Sequence, residues 1–126
     1  MYRNSQDVLL GGLYNEWINN LHAYTGQLDA LEMNIQQLLF TAIYGDNEAF
    51  LGRLLSDTTH TKDRMQQVLT EVETAAHQFI TADGDNLHIT VGEMMLRNRL
   101  RDKIRKLEQT TFILKYRLNQ YLSKAS

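Results

Sequence analysis

The stretch LGGLYNEWINNLHAYTGQLDALEMNIQQLLFTA, from Leu10 to Ala42, decides the fold. Its apolar residues fall at Leu10, Tyr14, Trp17, Leu21, Tyr24, Leu28, Leu31, Ile35, Leu38 and Ala42, in steps that alternate four and three without a break. An α-helix turns once every 3.6 residues, so this spacing lines one narrow face and predicts packing against other helices. The stripe predicts an architecture. It carries no activity.

Two more stripes follow. Leu51, Leu54, Thr58, Thr61, Met65, Val68, Val72, Ala75 and Phe79 mark the second, and Leu100, Ile104, Leu107, Thr111, Leu114, Leu118 and Tyr121 the third. Tyr44-Gly45-Asp46-Asn47 and Ala82-Asp83-Gly84-Asp85-Asn86 read as the turns between them: glycine takes the conformation that ends a helix, and Asp or Asn caps the next. Thr90-Val91-Gly92-Glu93 matches a capping box, with hydroxyl and carboxylate each accepting a hydrogen bond from a backbone amide of the first turn. Gly11 and Gly12 are the weakest point of the first helix. The expected helices cover about 6–44, 48–82 and 91–122, roughly 33–38 residues each. The fold class is all-α: an antiparallel up-down-up three-helix bundle, coiled-coil-like, in one domain spanning 1–126. The general plan is similar to that of spectrin-like three-helix repeats, a likeness of architecture that implies no function.

Composition agrees. The 126 residues include no proline, the residue that most disrupts helix interiors, and apolar residues make up 43%, enough for a core. With no cysteine, disulfides, thiolate metal sites and cysteine nucleophiles are excluded. No uninterrupted apolar run reaches the ~18 residues of a membrane span, and the default expectation is a soluble cytoplasmic protein.

If the first turn pairs positions that sum to about 91 and the second positions that sum to about 173, Trp17 lies level with Ala75, a bulky ring against a small side chain. The same registers bring Thr58, Thr61 and Thr111 to about one height. They form either a polar layer that fixes register or, the favoured reading, fillers that each bond their own helix carbonyl.

The search for chemistry returns little. His22, His60 and His77 fall off the seams and His88 falls in a loop, whereas a metal site inside a bundle needs inward Glu and His ligands. Glu73 and His77, four apart on an outer surface, suit at most an adventitious ion. Counting an EF-hand loop from Asp83 puts Leu87 at position 5, His88 at 6 and Met94 at 12, where an oxygen ligand, glycine and glutamate are required. No phosphate-binding glycine loop or nucleophile elbow occurs. No catalytic residue, cofactor, metal or small-molecule substrate is expected.

Two outer features remain. Phe112, Ile113 and Tyr116 lie off the third seam, and an outward aromatic patch points to a protein partner, most simply a second copy of the chain. The other is a basic run, Arg97, Arg99, Arg101, Lys103, Arg105 and Lys106. Charge is polarised: residues 1–93 hold 4 Lys/Arg and 13 Asp/Glu, net −9, and residues 94–126 hold 9 Lys/Arg and 2 Asp/Glu, net +7. By register Arg101 and Lys103 fall near Glu71, and Lys115 and Arg117 near Asp57, so pairing inside the bundle absorbs part of the run. Arg99, Arg105 and Lys106 are left over, either as solvated charge or as contacts for an acidic protein or nucleic-acid phosphates. The expected function is a non-enzymatic helical protein–protein interaction or structural module that self-associates. The alternatives are a nucleic-acid-associated protein using the basic third helix and, last, a small metal-binding or enzymatic bundle.

Overall fold

Three helices form, in chain order α1 (Ser5–Thr41), α2 (Asp46–Thr81) and α3 (Val91–Ala125). The computed structural model describes the backbone of these spans and the side chains of residues 12–41, 47–78 and 91–124. Residues 42–45 and 82–90 therefore lie outside the described residues, and with them Tyr44 and Gly45 of the first expected turn, the whole of the second, the capping residue Thr90 and His88, whereas Asp46 and Asn47 open α2. The side chains of Leu10, Ala42 and Phe79 lie outside as well. Within the described spans α1 continues through Gly11 and Gly12, and α3 runs three residues past the expected Leu122.

The stripes meet in one core. Tyr14, Trp17, Leu21, Leu28, Leu31 and Ile35 of α1 are buried against Leu51, Leu54, Met65, Val68, Val72 and Ala75 of α2 and Leu100, Ile104, Leu107, Leu114 and Leu118 of α3. Each Leu or Ile buried in this way contributes about 1.5–3 kcal/mol relative to exposure, which is why none of the three faces can stay in water. Trp17 meets Tyr14 edge to face, with ring centroids 5.8 Å apart. At the opposite end Phe50 of α2 stacks on Tyr121 of α3 at 5.5 Å, and the Arg117 guanidinium lies 5.7 Å from the Phe50 ring centre. Gly26 and Gly52 are exposed, and a Cβ at either position would meet nothing within 4 Å.

Polar pairs between helices fix direction and register. Thr59 donates to Glu32, and Lys62 pairs with Asp29 at 2.8 Å. Both pairs sum to 91, so α1 and α2 are antiparallel in the expected register. Lys103 pairs with Glu71 at 3.0 Å and Arg117 with Asp57 at 3.1 Å. Both sum to 174, one residue from expectation, and make α2 and α3 antiparallel. Tyr24 donates to Glu108 and Lys115 to Gln27, so α1 and α3 run parallel with an offset of 84 to 88 positions. The contact between α1 and α2 is the most extensive of the three and that between α1 and α3 the least.

Thr58, Thr61 and Thr111 are buried, and each hydroxyl donates to the carbonyl four residues back in its own helix, at 2.7 to 2.8 Å. The three threonines satisfy themselves, as the local reading expected, and none of their hydroxyls bonds to another helix; the hydroxyl bond that crosses near this height is that of the neighbouring, exposed Thr59 to Glu32. Among the described residues no buried side-chain nitrogen or oxygen lacks a partner.

Candidate protein-interaction face

The α3 core stripe faces inward, and the helical step of about 100° per residue turns the positions between its members outward. Phe112 is 70% exposed, Ile113 54% and Tyr116 55%. Other large apolar side chains stand out on the same two helices: Met33 and Phe40 on α1, and Val91, Met94, Met95 and Leu122 on α3. Among the described residues α2 has none. Among the described residues the exposed large apolar side chains are therefore confined to α1 and α3.

A groove of about 500 Å³ runs between α1 and α3. Tyr24, Gln27, Glu108, Gln109, Phe112 and Lys115 are among the residues that line it. Tyr24 donates to Glu108 across its floor at 3.1 Å, and Lys115 donates to Gln27 at 2.9 Å. Burial first, and then the bond to Glu108, push the Tyr24 phenol above its ordinary pKa, so it is a neutral donor. The open groove follows from the sparse α1–α3 contact.

The basic run divides. Lys103 is bound to both carboxylate oxygens of Glu71, at 3.0 and 3.2 Å. Arg97 is half-buried beside Tyr14, whose phenol is raised by burial and opposed by this guanidinium. Arg99, Arg101, Arg105 and Lys106 are exposed and form no ion pair among the described residues. Two pairings differ from expectation. Arg101 does not join Lys103 on Glu71, and Lys115 reaches Gln27 of α1 while Arg117 alone holds Asp57. The reason is common to both: residues two apart on a helix diverge by about 200°, so only one of each pair can face α2.

The α1 side of this face was not anticipated. Successive outward positions on α1 are Glu16, Asn19, Ala23, Gly26, Ala30, Met33, Gln37 and Phe40, in steps of three and four. Glu16 is the single charge among them, an unusual composition for an exposed helix face. The signal was present as a second heptad stripe, weaker because five of its eight members are small or amide-bearing.

His22, His60 and His77 are exposed. Among the described residues no group of three or more His, Asp or Glu is placed to hold a metal ion, and no helix is long and apolar enough to cross a membrane. Compared with family models, curated proteins and solved structures, the chain matches none.

Proposed function

We propose that this chain is a non-enzymatic helical module that acts by binding protein, and first of all a second copy of itself. The observation that carries the reading is that, among the described residues, the exposed large apolar side chains fall on α1 and α3, Phe112, Ile113 and Tyr116 among them. Monomers seldom leave such a patch uncovered. The described interior supports the non-enzymatic part: it is built of apolar side chains and three self-bonded threonines, so side chains able to make specific contacts stand outside.

Light scattering on the purified chain tests this. Native mass should exceed the 14.6 kDa of one chain, and Phe112→Glu with Tyr116→Glu should leave a helical protein at monomer mass. An unchanged mass in the double variant would remove these aromatics from the interface.

A second reading rests on exposed Arg99, Arg101, Arg105 and Lys106, which could contact phosphates of a nucleic acid. Binding of that kind weakens steeply with salt, whereas a contact centred on aromatics changes little. A fluorescent duplex titrated at about 50 and 200 mM salt separates the two.

A further inference from the structure

The α1–α3 offset has a consequence for how two copies fit. The register sums of 91 and 174 set a position on α3 level with the α1 position 83 residues earlier, and the two side-chain bonds between these helices span 84 and 88. Over these offsets Phe112 is level with positions 24–29 of α1, which include Gly26, Tyr116 with 28–33, which include Ala30, and Arg101 with 13–18, which include Glu16. The bulky outward residues of α3 and the small outward residues of α1 occupy the same heights, and so do Arg101 of α3 and Glu16, the one acid on α1's outward stripe. Within one chain they stand side by side and no ion pair joins them.

We propose that two copies pair in parallel through the α1/α3 face, about a two-fold axis that runs along the helices, each copy's α3 lying on its partner's α1. This rests on the self-association reading above and adds a geometry to it. A two-fold axis along the helices preserves height, so each pairing that is side by side within a chain becomes face to face between chains. Phe112 and Tyr116 then enter the hollow along Ala23, Gly26 and Ala30, where missing side chains let a ring approach the backbone. Arg101 meets Glu16 of the second copy. An axis across the helices would instead stack α1 on α1 and α3 on α3. That arrangement sets small residues against small and brings basic helices together.

The area suffices. The described parts of α1 and α3 overlap over about 40 Å at ~1.5 Å per residue. Two helices 8–10 Å apart present a face roughly 20 Å wide. The product is about 800 Å² per copy, the size of an ordinary stable interface.

Two measurements decide it. The chain has no cysteine, so Asn15→Cys and Thr41→Cys each give a single spin-label site, near opposite ends of the α1 face. In the parallel pair both label–label distances should be short, about 20–30 Å across two helix layers. In any antiparallel pair the two distances sum to nearly 80 Å, because the sites are about 39 Å apart along α1. One long distance in a dimer overturns this geometry and leaves self-association standing. A chain that is monomeric at all concentrations overturns both. Charge reversal supplies the second measurement: Glu16→Arg and Arg101→Glu should each weaken dimerisation about tenfold or more, and combining them should restore it. A double variant no tighter than the single ones removes the proposed pair.

Discussion

Replacing Thr61 and Thr111 with valine, singly and together, tests whether the core threonines act locally or as a layer. Each is buried, and by the register of α2 and α3 they lie within about two residues of the same height, roughly 3 Å along the axis. Their hydroxyls bond Asp57 and Leu107 carbonyls at 2.7 and 2.8 Å. Those carbonyls are also ladder acceptors in a regular helix, so losing the hydroxyl leaves no buried acceptor empty. Valine forfeits a hydrogen bond of about 1 kcal/mol net and replaces the hydroxyl with a methyl worth about 0.8 kcal/mol. Helix propensities of the two residues are close. Each single variant should therefore lie within about 1 kcal/mol of the parent. The decisive quantity is the coupling. With no bond between them, the double variant should equal the sum of the singles to within about 0.5 kcal/mol. Urea unfolding followed by circular dichroism, with stability read from the midpoint at constant slope, supplies all four values. A coupling above about 1 kcal/mol would show that the hydroxyls cooperate between helices and would refute the local account.

Three further outcomes follow from the described geometry. Leu54→Ala empties a fully buried position and should cost about 2–5 kcal/mol in the same urea assay; a loss below 1 kcal/mol would mean the core collapses around the gap. Gly52→Ala adds a Cβ in open space within α2 and should stabilise by about 0.5–1 kcal/mol, a rise of several degrees in Tm; no rise would count against an undistorted helix there. Asp29 and Glu32 raise the Lys62 pKa, and burial raises those of Tyr14 and Tyr24. All three groups have higher pKa values folded than unfolded, so their stabilisation is complete below about pH 10 and is lost as pH rises through the folded values. Tm should decline above about pH 10, less steeply in Lys62→Met, and a profile flat to pH 11 would contradict the assignment.

Much of this fold was legible because the sequence repeats its instruction three times. Any one stripe leaves the partner open; three stripes with two short turns leave one arrangement, and the α1–α2 register of 91 follows from the expected place of the Gly45 turn alone. The α2–α3 register came out one residue off, since that turn is longer and its ends less sharply marked. Side-chain partners were harder. Lys115 and Arg117 share a height, and height is what register supplies, but which neighbour each faces depends on helix phase. The exposure of Phe112, Ile113 and Tyr116 followed from their place off the seam. The small-residue face of α1 escaped notice because Ala23, Gly26 and Ala30 have little hydrophobicity to count, and their fit to α3 emerges only once the α1–α3 offset is known.

The opposite charges of the two parts of the chain also bear on folding kinetics. A growing chain exposes α1 and α2 before α3. The order of synthesis thus presents a strongly acidic helical hairpin first, with the most extensive of the helix contacts already available to it. The basic α3 then arrives as an attracted counterpart, not as a neutral segment searching at random. Attraction of this kind acts over about 10 Å at 0.1 M salt, so docking of α3 should slow as salt rises while formation of the hairpin, whose helices carry the same sign, should not.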